Sequence, residues 1–280
     1  MTDPTQITDD QIAAKWREIG PLIERVMQRL DTKNEFPVEA GSSLAGDDSA
    51  SQPYQVSHAV RCCIHAGVDH LHALKRQVVD AGVVHTMAPF SLARGALENL
   101  SIAYWILHPK ERDERITRAL RWHAQNVKDN ERANGPQGRG LPNCEAEPYL
   151  LKIEAVGRKR PGVPVAAIPK QPGMAAVKAI RDGHTSSEAV KYSQDNAVTA
   201  GSVLWAWQLC SGFAHGRQWA ILGVSDRETH PTSDPDVMHL RLSANLGAVQ
   251  LVALEALHLL TDVLRTYDQR AGSHLEQIVK

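Results

Sequence analysis

Hydrophobic residues recur at steps of three and four through most of the chain, which is the spacing of an amphipathic α-helix. The first such stretch follows "TDDQ", Thr8–Gln11, which fits a capping box in which Gln11 reaches back to the Thr8 amide. Pro21 lies inside the stretch and predicts a kink or a break there. The apolar positions of this helix are Ile12, Trp16, Ile19, Ile23, Val26 and Leu30.

The helical pattern stops at residues 33–53, where small residues, polar residues and prolines predominate. Such a composition is typical of a loop. We therefore expect an N-terminal helix and polar loop over residues 1–53, followed by a single helical-bundle domain over residues 54–280.

Helical periodicity returns after residue 53. Loops at 134–143, "NGPQGRGLPN", and a proline-broken connection at 159–173 interrupt it. Strand-like alternation of useful length occurs only at "MHLRLS", residues 238–243. The sequence thus predicts an all-α fold, a helical bundle with a decorated, loop-rich middle segment. The expected helices span residues 54–80, 87–107, 110–132, 145–157, 174–182, 197–215 and 244–269.

Composition narrows the classes of function. The chain of 280 residues carries a formal charge of −1, so the basic footprint of a non-specific nucleic-acid-binding protein is missing at the whole-chain level. Its four cysteines form neither a disulfide framework nor a paired zinc spacing. The N-terminus is unlike a signal peptide, and the apolar stretches are interrupted by charged, amide or glycine residues. We expect a cytoplasmic protein that does not enter a membrane and has no cofactor.

Arg94 and Glu98 are the two charged residues in the otherwise uncharged run 87–107. They stand one helical turn apart and therefore share a face. A helix that is apolar all round is normally buried, so both charges need partners. They form either a structural pair that locks the bundle or part of a functional site, since perturbed charges also cluster at such sites.

A second polar group follows the uncharged run 197–214. Ser211 and His215 share a helix face with Gln208, and Gly216 is expected to end the helix by adopting a positive φ. His215 then lies in the last turn, where the helix dipole favours its protonated form, and Arg217 adds a cation. His215 is either a capping histidine or an acid–base or anion-binding group that faces a cleft.

The helix 54–80 carries a stripe of side chains that are able to ligate a transition metal. The stripe lies opposite the apolar face, which favours a solvated face or a dimer contact. Asp69 with His72, and Glu255 with His258, share an acid-x-x-His spacing with di-iron bundles, but the helix 197–215 supplies no carboxylate. A metal-binding bundle is therefore our third hypothesis, and we assign no metal ligands. The stripe consists of His58, Cys62, His65, Asp69 and His72.

Four stretches resemble a family of uncharacterised helical proteins from actinobacteria and their phages: "AGVDHLHALK", "APFSLARGALENLSIAYWIL", "ERDERITRALRWHAQ" and "SGFAHGRQWA". In that family an Asp-His-Leu run precedes an Arg-x-x-x-Glu helix, and a Ser-x-x-x-His-Gly motif follows. The matching positions include Asp69, Arg94 with Glu98, and Ser211 with His215. The family is distantly similar to HEPN-like bundles, so the resemblance implies a dimeric, RNA-cleaving protein of the toxin–antitoxin or phage-defence type.

HEPN-like ribonucleases carry an arginine four to six residues before the catalytic histidine. Arg118 and His123 have that spacing here, whereas no arginine stands at those positions before His215. The helix around Arg118 is rich in charge, so a solvated face is the favoured interpretation of this pair.

Two classes of function lead the hypotheses. The first is an RNA-directed, metal-independent ribonuclease in which Arg94 or Arg217 holds a phosphate and His215 is the acid–base group, with Glu98 orienting one of them. The second is a non-catalytic interaction or regulatory protein, antitoxin-like, in which Arg94, Glu98 and His215 form a buried lock.

Under either hypothesis we expect Arg94, Glu98 and His215 to meet in space, with Asp69 and Ser211 nearby, because an unpaired charge in an apolar helix is costly. We also expect a homodimer, since tryptophan is enriched at interfaces. RNA or a second protein is the further partner that these hypotheses imply. The tryptophans that favour a dimer are Trp122, Trp205, Trp207 and Trp219.

Overall fold

The computed structural model describes residues 8–134, 145–167 and 177–275. The protein is 69% helical, and the sheet in these ranges is a single two-stranded hairpin, so the all-α prediction is confirmed. A π-helical turn, Arg76–Asp80, continues α3, and a 3₁₀ turn, Ile180–Asp182, precedes α7. The helices are α1 Asp9–Leu30, α2 Ser43–Ser51, α3 Val56–Lys75, α4 Ala88–Leu107, α5 Arg112–Asn134, α6 Ala146–Gly157, α7 Ser186–Asn196, α8 Val203–Ala214, α9 Gln218–Val224 and α10 Leu246–Ala271, and the strands are β1 Asp226–His230 and β2 His239–Ser243.

α1 begins at the predicted capping box. The Thr8 amide donates to Gln11 Oε1 at 2.8 Å, and the Gln11 amide donates to Thr8 Oγ1 at 3.3 Å. The helix continues through Pro21, so of the predicted kink or break the break does not occur. Pro21 faces solvent, where water can satisfy the carbonyl that lacks its usual amide donor. The buried stripe of α1 packs on α3 and α10.

α4 lies at the centre of the bundle and contacts α3, α7, α8 and α10. Its side chains are buried without interruption from Leu100 to Leu107, as expected for a helix that is apolar all round. Phe90 in its first turn stacks on Phe213 of α8, with ring centroids 3.8 Å apart. This contact holds the carboxyl end of α8, which carries His215, against α4.

Residues 33–53 contain α2 where we expected only a polar loop. Ser42 caps this helix by accepting a hydrogen bond from the Ala45 amide at 3.1 Å. Leu44 and Asp47 are fully buried, and α2 packs against α3, α5 and α10. The loop prediction is wrong for residues 43–51. Asp47, a polar residue that suggested a solvated loop, is instead buried in this helix, where it binds an arginine far along the chain rather than water.

Asp47 of α2 and Arg115 of α5 form a buried ion pair. Arg115 Nε donates to Asp47 Oδ2 at 2.6 Å, and its Nη2 donates to Oδ1 at 2.9 Å, which is a two-point contact. Arg115 Nη1 donates to the carbonyls of Pro109 and Lys110 at 2.9 and 2.7 Å. The half-exposed Arg112 donates to Asp47 Oδ1 at 3.1 Å. The pair therefore fixes α2 and the α4–α5 turn to the start of α5.

Two carboxylates of α10 hold the segment that joins α7 to α8. Asp262 Oδ2 accepts hydrogen bonds from the amides of residues 198–200 at 3.1, 2.8 and 3.1 Å. Glu255 Oε1 accepts from the Ser202 amide at 2.6 Å. The helix predicted from residue 197 therefore begins only at Val203, because the preceding amides bond to α10 rather than along a helix.

The predicted loop-rich middle segment lies only partly within the described residues. The expected loop at 134–143 lies outside the described residues except for Asn134, which ends α5, and the connection at 159–173 is described as far as residue 167. Of the helix expected at 174–182, residues 174–176 lie outside the described ranges and the rest contains the 3₁₀ turn. The strand expected at 238–243 is confirmed as β2.

α10 is the one helix in the described part of the chain that is long and apolar enough to cross a membrane. Within the protein, 61% of that apolar window is buried. It packs against α1, α3, α4 and α8, which is the environment of a core helix.

Replacing Arg115 by alanine should lower the free energy of unfolding by about 3–5 kcal/mol, because it leaves the Asp47 carboxylate buried with one exposed partner. The matched control is Arg112→Ala, which removes the exposed partner of the same carboxylate and should cost about 1 kcal/mol or less. Urea denaturation of the two variants measures the difference, and equal losses would contradict the assignment.

Acidification should destabilise the protein through two histidines. Burial lowers the pKa of His123 and of His184 from 6.5 to about 4. The unfolded chain takes up these protons first, so this contribution to stability is complete above pH 6.5 and is lost as the pH falls toward 4. The melting temperature should drop between pH 7 and pH 5, and less steeply in His184→Gln. If the melting temperature of His184→Gln fell as steeply with pH as that of the unaltered protein, the burial of a neutral His184 would be contradicted.

Candidate functional site

Arg94 and Glu98 form the predicted pair on α4, with 3.5 Å between Arg94 Nη2 and Glu98 Oε2. The two side chains are 30% and 26% exposed, so the pair lies at the edge of the core. Glu98 has two more partners, since Ser186 Oγ of α7 donates to Oε1 and Trp207 Nε1 of α8 donates to Oε2 at 3.2 Å. One carboxylate therefore ties three helices together.

Arg94 has far fewer contacts than its carboxylate partner. Its guanidinium makes no hydrogen bond to any residue that the structure describes, and its Nε is buried without a partner. The Trp207 ring lies 5.9 Å from the guanidinium carbon, at the outer limit of a cation–π contact. Burial raises the pKa of the neighbouring Cys210 thiol, which the charge of Arg94 opposes. Arg94 therefore has N–H donors left for a further acceptor.

The carboxyl end of α8 has the geometry that the sequence predicted. Gly216 adopts a φ of 63°, which confirms its role as the residue that ends the helix. The Arg217 amide donates to the Gly212 carbonyl at 2.8 Å, and the Gly216 amide donates to the Phe213 carbonyl at 3.1 Å. These two bonds are a Schellman motif, which reverses the chain and leads directly into α9.

An open groove of about 380 Å³ lies at the turn between α8 and α9. Trp219 of α9 is 60% exposed, and one edge of its ring packs against the bare Cα of Gly212, where a Cβ would lie 2.9 Å from Trp219 Cζ2. No carboxylate is among the residues that line the groove in the described part of the chain. The lining residues are Trp207, Gln208, Ser211, Gly212, His215, Arg217 and Trp219.

The structure joins the two predicted halves of the site through Trp207. This side chain lines the groove of His215 and Arg217, and it also contacts Glu98 and Arg94. The His215 side chain is exposed and makes no hydrogen bond or ion pair with any described residue, so it does not bond directly to the α4 pair. Trp207 therefore lies between His215 and the Arg94–Glu98 pair, and the three residues do not form a single sealed cluster.

Sequence reasoning missed Trp207 and Ser186 as partners of Glu98. Trp207 carries a usable signal, because it stands one turn before Ser211 and two turns before His215 on the same face of α8. Ser186 carries none, since it belongs to α7, which the sequence pattern did not predict.

Asp69, Arg118 and His123 do not line the groove at His215. Asp69 is exposed on α3. Arg118 is 11% exposed, donates to the Trp105 carbonyl at 2.5 Å and lies 4.1 Å from the Tyr192 ring centroid, so the solvated-face interpretation is wrong for it.

His123 packs on a different side of α5, with its ring centroid 5.2 Å from that of Tyr54. The two residues of the Arg-x4-His spacing therefore contact different neighbours, because a separation of five residues does not place side chains on one helix face.

The histidine stripe of α3 does not assemble a metal site. No group of three or more His, Cys, Asp or Glu side chains in the described residues could hold a metal ion. His72 Nε2 lies 3.2 Å from Glu24 Oε2 of α1, and His65 Nε2 lies 3.8 Å from Glu35 Oε1. Glu255, the acid of the second acid-x-x-His pair, bonds to the backbone before α8.

Comparison of the chain with protein-family models, with curated proteins and with solved structures found no match.

Glu98→Ala should lower the free energy of unfolding by about 1–3 kcal/mol, because it leaves the Trp207 N–H without its acceptor and Arg94 without its ion-pair partner. The half-buried position keeps this value below that of a fully buried pair. Glu98→Gln retains an acceptor oxygen and should lose less. Chemical denaturation checks the order of the two variants, and an unaffected Glu98→Ala protein would refute the bridging role.

Proposed function

We propose that the protein is an RNA-directed, metal-independent ribonuclease that binds an unpaired nucleotide in the groove between α8 and α9. The observation that carries this proposal is the grouping of His215 and Arg217 with two tryptophans in a groove that no described carboxylate lines. Arginine and histidine suit a phosphate, and an exposed indole suits the face of a base.

Single-stranded RNA fits this groove better than a duplex. A base can stack on tryptophan only when it is splayed out of its own strand, as in loops and unpaired ends. The net charge of −1 gives the chain as a whole no electrostatic attraction for the phosphates of a duplex. Recognition through one groove therefore implies a short contact with a single strand.

Cleavage would use the RNA's own 2′-hydroxyl as the nucleophile. The His215 imidazole accepts the proton of that hydroxyl while the hydroxyl oxygen attacks the phosphorus, and the bond from phosphorus to the 5′-oxygen breaks. The imidazolium then returns the proton to the departing 5′-oxygen, so the products are a 2′,3′-cyclic phosphate and a 5′-hydroxyl. Arg217 stabilises the negative charge that develops on the phosphate oxygens.

Arg94 and Glu98 take different roles in this proposal. The terminal nitrogens of Arg94, which make no hydrogen bond to any described residue, lie beside Trp207 and are available to a neighbouring phosphate of the strand. Both oxygens of Glu98 are already occupied, so it is a positioning residue that orients Trp207 and Arg94.

A non-catalytic interaction or regulatory protein is the second candidate. Trp205 and Trp219 are 48% and 60% exposed, which is the kind of aromatic surface that protein interfaces bury. The hairpin β1–β2 adds strand edges that pair with nothing else in the described residues. A homodimer through these surfaces is compatible with either function.

A fluorescently labelled, unstructured RNA oligonucleotide tests the proposal by anisotropy and by gel analysis of cleavage. Trp219→Ala should weaken binding by about fivefold to a hundredfold, because each stacked base contributes about 1–3 kcal/mol. Arg217→Ala should also weaken binding, whereas the charge-matched control Arg241→Ala, on the exposed hairpin, should not. His215→Ala should bind RNA and fail to cut it.

The alternatives give distinct results. Equal losses in Arg217→Ala and Arg241→Ala would show non-specific charge attraction and would overturn the groove. Binding in the groove without cleavage by the unaltered protein would favour the non-catalytic candidate. Absence of any RNA binding would reject the first candidate outright.

A further inference from the structure

The hairpin β1–β2 is exposed to solvent on both faces. Every residue of β1 is exposed, and in β2 only Leu242 is half-buried. The base of the hairpin is anchored by Asn245, the cap of α10, whose side chain donates to Asp226 Oδ1 at 2.9 Å. A two-stranded hairpin by itself is marginally stable in water, and further strands stabilise it. The outer edge of each strand pairs with nothing in the described part of the chain, so both edges have free backbone donors and acceptors.

The two edges differ in how they are protected. Natural sheets guard an exposed edge with charged side chains or with proline, which hinder the addition of another strand. β1 has both, since Asp226, Arg227 and Glu228 are consecutive charged residues and Pro231 follows the strand. β2 has one permanently charged residue, Arg241, whose Nη1 lies 3.5 Å from Glu228 Oε2 on β1. β2 is therefore the less protected edge.

β2 also carries an exposed apolar stripe. Met238, directly before the strand, is 66% exposed and Leu240 is 38% exposed, and Leu242 continues the series at every second position. Alternate residues of a strand share a face, so these three side chains lie on one face of the hairpin. The residues of β1 that pair with Leu240 and Leu242 are Thr229 and Arg227, so β1 adds no apolar side chain beside the stripe. A second apolar strand at the β2 edge would bury part of it.

We propose that the β2 edges of two copies of this chain pair antiparallel about a two-fold axis at Leu240, which joins the two hairpins into a four-stranded sheet. A two-fold axis perpendicular to a pair of antiparallel strands passes through a residue that opposes its own copy. With the axis at Leu240, each Leu242 opposes Met238 of the other copy, so the two apolar stripes meet along their whole length. This inference does not rest on the proposed RNA binding.

The charges of β2 select this register over its neighbour. With the axis at Arg241, the two arginines would oppose each other directly, and like charges in that position destabilise a sheet. With the axis at Leu240, Arg241 opposes His239 of the other copy and keeps its own Glu228 on the adjacent strand. Because β2 has 5 residues, the contact is short, and the dimer should exchange with the monomer as the concentration changes.

Single-cysteine crosslinking of the full chain tests the register. Leu240→Cys places two thiols directly opposite each other with their Cα atoms about 4.5–5.5 Å apart, a separation that a disulfide spans. Mild oxidation should therefore give a covalent dimer on a non-reducing gel. Leu242→Cys is the matched control on the same face. It opposes Met238 rather than itself, and it should crosslink no more than the unaltered protein, whose exposed Cys62 sets the background.

Sedimentation over a concentration series into the hundreds of micromolar tests the interface. The unaltered protein should dimerise as the concentration rises. Leu240→Lys places like charges at the axis and should raise the dimer dissociation constant by about tenfold or more. Thr229→Lys adds the same charge to β1, opposite Leu240 within the hairpin and away from the β2 edge, and should change the constant by about twofold at most.

Four results would overturn the proposal. A monomer throughout the series would reject the dimer, and a dimer that Leu240→Lys leaves unchanged would place the interface elsewhere, as at the exposed tryptophans. Equal weakening by Thr229→Lys would reject the β2 edge. Equal crosslinking of Leu240→Cys and Leu242→Cys would reject the register.

Discussion

The central position of α4, which is buried without interruption from Leu100 to Leu107, is the constraint on which the rest of the structure depends. Because α3, α7, α8 and α10 all pack against it, the helix has room for charge only at the edge where α7 and α8 meet. Arg94 and Glu98 stand at that edge. Glu98 accepts hydrogen bonds from Ser186 of α7 and from Trp207 of α8. The carboxylate on α4 therefore fixes the orientation of Trp207, and Trp207 forms one wall of the groove at His215.

Polar groups fix the direction of the connections, while apolar packing holds the helices together. Asp47 with Arg115 places α2 against α5, and Asp262 bonds the amides that lead into α8. A hydrophobic contact tolerates sliding, whereas a two-point ion pair or a carboxylate shared by three amides has one geometry. These bonds set where α8 starts, and the Schellman turn at Gly216 sets where it ends.

The sequence contained the local features and not the long-range ones. The capping box at Thr8, the Arg94–Glu98 pair and the glycine end of α8 depend on neighbours within one turn, and each was predicted. α2 was missed because Asp47 is buried against a partner 68 residues away, which no local period reveals. Arg118 was misjudged for the same reason, since its partners Trp105 and Tyr192 belong to other helices.

Photo-crosslinking to an RNA oligonucleotide that carries 4-thiouridine, followed by mass spectrometry of the joined peptides, tests the central claim most directly. The account predicts crosslinks in the peptides that contain Trp207 and Trp219, because these indoles line the groove at His215. Excess unlabelled single-stranded RNA should suppress them, and a duplex of the same sequence should not. Crosslinks confined to other surfaces, such as the charged face of α5, would contradict the account.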